Sequence, residues 1–236
     1  MPGVGLATYC TKAEKDPVPG IPFLLPIEFD LAATFLAALT GAWLATRRGY
    51  DLVGAFVLAF VTGVGGGLLR DAVFIKQIPL VMQDGRYLLV VVAAVVAGTL
   101  THRLAERFGG LLAYVDALAI GVYGVVGANK AMIAGIGPVP AVLVGMCNAV
   151  GGGLLRDVLV REEPLVFKPG QLYSLAALGG CLLFVVLSYY YGVDTNTSAW
   201  MSIGVTLLLR LAALRFNWAT RSLREWRRRS DDPPSE

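Results

Sequence analysis

Seven predominantly apolar stretches divide the chain, roughly 27 to 46, 52 to 74, 87 to 102, 111 to 132, 138 to 160, 172 to 191 and 198 to 216. As helices rising 1.5 Å per residue, most are long enough to cross a hydrocarbon core of about 30 Å. A backbone in lipid must satisfy its own hydrogen bonds, which leaves only helices and closed barrels. The fold class expected is therefore an all-α integral membrane protein with seven transmembrane helices. Composition agrees, since 56% of the 236 residues are hydrophobic and only 16% are charged. Such a chain is hard to keep soluble as a globule.

The ends are polar. Residues 1–26 carry Lys12, Glu14, Lys15 and Asp16, then Pro17, Pro19, Pro22 and Pro26. With no basic start followed by an apolar run and a small-residue cleavage site, this reads as a short tail and not a signal peptide. Residues 217–236 form a second tail, "RSLREWRRRS" at its centre, directly after the last span. One aromatic among its arginines makes it an anchor against anionic membrane lipid in preference to a nucleic-acid arm. Lys and Arg number five on the side of the N-terminal tail and twelve on the other side. That bias puts the N-terminus outside and the C-terminus in the cytoplasm of a plasma or inner membrane.

Little here supports catalysis. Cys10, Cys147 and Cys181 lack metal-ligand spacing, so they read as inert thiols. The single histidine, His102, sits among Arg103, Glu106 and Arg107 with no partner Ser or Cys in view. No cofactor, metal or enzyme activity is expected.

The string "GGGLLRD" occurs at Gly65 to Asp71 and again at Gly151 to Asp157, 86 residues later. At that offset, without a gap, Asp30 aligns with Asp116, Gly41 with Gly127, Gly49 with Gly135 and Tyr87 with Tyr173. Residues 27–110 and 111–194 are then two three-helix repeats, and 195–216 is a seventh helix left over. An odd repeat unit enters the membrane from opposite sides, so the halves are expected to be inverted about a pseudo-two-fold axis in the membrane plane.

Gly65 lies about 14 residues into the second span, roughly 20 Å along it, and the string there reads "GVGGG". Without a preceding strand or a Lys-Ser ending it is not a phosphate loop. Close packing through Gly63 and Gly67 is one reading. The reading adopted is a break of helices 2 and 5 at Gly63, Gly65, Gly66, Gly67 and at Gly151, Gly152, Gly153, because consecutive glycines weaken a helix. Unwound ends would turn free carbonyls and amides toward one central point.

Arg70, Asp71, Arg156 and Asp157 follow the glycines, and ionisable groups at this depth are functional candidates. Adjacent Arg and Asp point in different directions on a helix, so each arginine is expected to find a partner elsewhere. Asp30 for Arg70 and Asp116 for Arg156 lie at suitable depths. Each pair would damp a positive charge opposing cation passage; the competing reading has the arginines snorkelling and the aspartates capping helix starts.

Two inverted three-helix repeats, a seventh helix and the doubled glycine string, over residues 27 to 216, resemble the trimeric intracellular cation (TRIC) channels. The resemblance is to their bacterial members, also labelled as a glycine-transporter-type domain. It implies a homotrimer with one pore per protomer, permeable to potassium and other monovalent cations, and lined at the glycine strings. Animal members carry a Lys-Glu-Val motif in helix 4 whose lysine is tied to gating and lipid binding. Here "GANKA" offers Lys130 as its counterpart, but Ala131 and Met132 depart from the motif. The same breaks would also suit a secondary transporter gripping a small zwitterion such as glycine, and a structural or signalling role is a third class.

Overall fold

The computed structural model describes residues 25–108, 110–168 and 173–216. Cys10 and nearly all of the N-terminal tail, and the basic tail 217–236, lie outside the described residues. Seven helices are long and apolar enough to cross a membrane. They are α1 (Ile27–Arg47), α2 (Leu52–Leu69), α3 (Arg86–Arg107), α4 (Leu111–Ile133), α5 (Pro138–Leu159), α6 (Tyr173–Val185) and α7 (Thr195–Arg215). Two of them run on as π-helical turns: α2 through Arg70–Ile75 and α6 through Val186–Tyr190. No strand occurs among the described residues.

Local chemistry sets the helix starts. Asp51 caps α2 by accepting from the Gly54 amide at 2.8 Å. Asp194 caps α7 by accepting from the Thr197 amide at 3.1 Å. These caps satisfy amides that the first helical turn leaves without partners. Pro138 opens α5, where its missing amide costs nothing. The tight turns α1–α2 and α4–α5 each pass through a glycine at positive φ, Gly49 at +72° and Gly135 at +81°. An L side chain would be strained at both.

Helices α1 and α4 form the centre. α1 packs against α2, α3 and α4; α4 packs against α5, α6, α7 and α1; and α2 crosses α5. The first core joins Ala38, Ala42, Trp43, Ala59, Val91 and Val95 across α1, α2 and α3. A larger one joins Ala33 of α1 to Ile120, Tyr123, Val144, Phe184 and Ile203 of the other half and α7. α7 lies on α4 and α6 and has no counterpart against α1 and α3.

The expected breaks at the glycine strings are absent. α2 is helical through Gly63, Gly65, Gly66 and Gly67, and α5 is helical through Gly151, Gly152 and Gly153. The glycines instead let two backbones meet. A Cβ on Gly66 would stand 2.3 Å from the Asn148 carbonyl oxygen, and one on Gly152 would stand 2.1 Å from that of Thr62. These contacts exchange under the 86-residue offset, 66 with 152 and 62 with 148. The lesser pair does the same, Gly65 against Leu155 and Gly151 against Leu69. Reciprocal contact is the mark of a two-fold interface. The intact helices also keep their amides and carbonyls satisfied where a break would expose them to lipid. Departure from α geometry comes one turn later, in the π turn at Arg70–Ile75, which ends at Lys76 in the left-handed conformation.

Candidate functional site

Where α2 leaves the crossing, Arg70 is almost completely buried, 1% exposed, among Asp30, Asp71 and two tyrosines. Its Nε donates to Asp71 Oδ1 at 2.6 Å and its Nη2 donates to Asp71 Oδ2 at 3.1 Å. The same Nη2 lies 3.6 Å from Asp30 Oδ2. Asp30 Oδ2 also accepts from Tyr87 Oη at 2.8 Å and from Lys130 Nζ at 2.5 Å. Asp71 turns back to accept from the Leu80 amide at 3.2 Å, tying the α2–α3 loop to the cluster. Tyr123 donates to the Gly63 carbonyl and its Oη lies 3.0 Å from the Thr34 hydroxyl, joining α4 to α1 and α2. Thus the first station holds two carboxylates, Asp30 and Asp71, and two cations, Arg70 and Lys130.

A second station repeats the plan in the other half. Arg156 Nε donates to Asp157 Oδ1 at 2.9 Å, and its Nη1 reaches Thr40 Oγ1 at 3.0 Å and Asp116 Oδ1 at 3.4 Å. Asp157 accepts from the Leu165 amide at 3.2 Å, as Asp71 does from Leu80. The fourth charge comes from outside the repeats: Arg210 of α7 lies with its guanidinium 4.8 Å from the centroid of the Tyr173 ring. Tyr173 is the counterpart of Tyr87, and Asp116 is within electrostatic reach of Arg210. Each station therefore balances two negative side chains with two positive ones, which is how buried charge is tolerated.

Two details depart from expectation. Each arginine bonds its neighbouring aspartate as well as the distant one, because the long arginine side chain folds back where the backbone widens or ends. Nor do the glycines mark a helix break: Gly66 and Gly152 face the other half's backbone, Gly65 faces the Leu155 side chain, and Gly63 and Gly67 border the hollow beside Arg70. Arg210, Tyr123, Thr34 and Thr40 escaped the sequence reading. Arg210 had a signal, as a charge well inside the stretch 198 to 216, whereas Arg215 stands at its end; Tyr123 and the threonines had none. Elsewhere, His102 Nδ1 lies 2.7 Å from the Thr99 carbonyl, and Cys147 and Cys181 are free thiols. Among the described residues no cluster of three His, Cys, Asp or Glu could hold a metal.

The family model described as "Glycine transporter" matches twice, over residues 28–103 and again over 113–189. The chain belongs to that family. The curated members it resembles carry the family label UPF0126. The UPF0126 inner membrane protein YadS of Escherichia coli K12 is 34% identical over 189 residues, covering 80% of this chain and 91% of that one. A UPF0126 membrane protein of Deinococcus radiodurans is 37% identical over 153 residues, 64% of this chain and 71% of its own. Among solved structures, the TRIC trimeric intracellular cation channel orthologue of Rhodobacter sphaeroides superposes with a TM-score of 0.76 at 30% identity. The match covers 80% of this chain and 97% of that one. A second, solved to explain conductance through TRIC cation channels, gives 0.74 at 28% identity over 84% and 97%. This UPF0126 protein thus has the TRIC fold, is a multi-pass membrane protein, and comes from no enzyme family.

Proposed function

We propose that the chain is a channel for monovalent cations, potassium among them, with one pore in each protomer of a homotrimer. The observation that carries this is the likeness, at a TM-score of 0.76 and 30% identity, to a protein named as a trimeric cation channel. Residues 27–110 and 111–194 act as inverted repeats, with 195–216 as the seventh helix. The exchanged contacts at Gly66 and Gly152 and the double family match support that division. The N-terminus lies outside the inner membrane and the C-terminus inside, supported by the excess of Lys and Arg on one side.

The stations supply the electrostatics. Arg70 and Arg156 alone would repel a cation near the middle of the bilayer, and their aspartates cancel that barrier. Asp116 Oδ2 is buried with no hydrogen-bond partner among the described residues, so it is free to accept from water or meet a passing ion. At the first station Lys130 occupies Asp30, the position a permeating cation would take. Withdrawal of its ammonium is the simplest gate, since it restores a free carboxylate without breaking a helix.

The purified protein in planar bilayers with a potassium gradient tests this directly. Unitary currents reversing near the potassium potential are expected. Silent bilayers together with saturable glycine counterflow would overturn the channel in favour of a transporter of small zwitterions.

A further inference from the structure

The second station opens into a cleft of about 330 Å³ whose wall carries Arg47, Arg48 and Lys168 above Arg156, Asp157 and Glu162. Arg48 is paired with Glu162, and Arg156 is held by Asp157 and Asp116. Among the described residues Arg47 and Lys168 have no carboxylate partner, and both are exposed to the cleft. A concave recess with two unneutralised cations concentrates anions. Guanidinium and ammonium groups together bind phosphate oxygens well, the first by a planar fork and the second as a point charge.

This basic wall does not belong to the duplicated plan. Under the 86-residue offset Arg47, Arg48 and Lys168 correspond to Ile133, Ala134 and Met82 on the other side, all uncharged. The core of each station is repeated, with its Asp, Arg, Asp and Tyr, but Arg47, Arg48 and Lys168 have no charged counterparts in the other half. Such a wall is unhelpful to a cation path, because it raises the local potential at the entrance. An occupant carrying two or more negative charges removes that penalty.

We propose that this cleft is a binding site for a phosphate-bearing anion, held by Arg47 and Lys168 with Arg48 at its edge, and that its occupancy neutralises the mouth. The shared chemistry is a phosphomonoester or pyrophosphate group, supplied either by a soluble anion or by the headgroup of an anionic lipid.

Binding is measured without any current, so the result does not depend on what the chain conducts. Pyrophosphate is titrated calorimetrically into the full chain in neutral detergent, and phosphatidic acid is titrated in mixed micelles of the same detergent. At least one of the two is expected to bind, and the double variant Arg47→Gln with Lys168→Gln to weaken it at least tenfold. Lys76→Gln, on the opposite side, is expected to leave it unchanged. Arg47→Lys with Lys168→Arg should keep most of the affinity, which separates lost charge from lost folding. Pyrophosphate binding identifies a soluble ligand, and phosphatidic acid binding alone identifies a headgroup. If neither ligand binds, or if the double Gln variant binds as tightly as the parent chain, the proposal is overturned.

Discussion

Three consecutive glycines meet three different neighbours, and their tolerance of a methyl group should differ accordingly. A Cβ on Gly66 would stand 2.3 Å from the Asn148 backbone oxygen, which cannot move without shifting α5. On Gly65 it would meet the end of the Leu155 side chain at 2.6 Å, which can swing away, and on Gly67 nothing closer than Arg70 Nη2 at 3.6 Å. Gly66→Ala should therefore cost about 2 kcal/mol or more, as overpacked cores do. Gly65→Ala should cost less, and Gly67→Ala should be neutral or gain up to about 1 kcal/mol from helix propensity. Thermal unfolding of the three variants in one detergent checks the order; equal losses would remove the packing account. At the first station Asp30 faces both Arg70 and Lys130. Asp30→Asn leaves buried positive charge uncompensated, a loss of about 3 kcal/mol. Adding Lys130→Gln should recover part of it, so a double-mutant cycle should show a coupling on the order of 1–3 kcal/mol. These charges were legible in the sequence because ionisable residues in apolar spans are rare. Their bonding was not, since nothing in "RD" tells whether an arginine folds back on its neighbour.

Helices meet here through two kinds of contact that carry different weight. The α2–α5 crossing is backbone on backbone, whereas the link from the α1–α2 turn to the segment after α5 is the exposed pair Arg48 and Glu162. Solvent-exposed ion pairs contribute little. Glu162→Gln should therefore shift the unfolding free energy by less than about 1 kcal/mol, readable as a small change in melting temperature that shrinks further in high salt. α7 is the opposite case. Its Arg210 is buried against Tyr173 near Asp116, so Arg210→Met should destabilise by about 3 kcal/mol. A neutral result in thermal unfolding would mean that α7 is held by its apolar face alone. The helical spans were readable because lipid leaves few alternatives. The π turn at Arg70–Ile75 was not, because the same string "GGGLLRD" in α5 stays α-helical through Leu159.

For the whole molecule the testable consequence is orientation. A fluorescent protein fused after Glu236 should fold and fluoresce in the cytoplasm, and alkaline phosphatase at the same place should stay inactive. The reverse pattern would invert the proposed topology. The charge bias behind this reading is a property of the flanks, while the exchanged contacts at Gly66 and Gly152 relate the halves to each other and not to a membrane.

By itself the sequence determined the number of spans, the 86-residue duplication and the depth of Arg70, Asp71, Arg156 and Asp157. Each follows from local composition, because hydrocarbon excludes charge and demands helices wherever the chain crosses. Tertiary structure alone decided what the glycine strings do. An isolated run of glycines weakens a helix whatever surrounds it, so local propensity favours a break. Here the opposing backbone of the other repeat lies close enough that only glycine fits, and the packing gained there keeps both helices intact. The same holds for the fourth charge of each station. Lys130 and Arg210 are brought to Asp30 and Asp116 from helices distant in the chain, and no spacing in the sequence encodes that meeting.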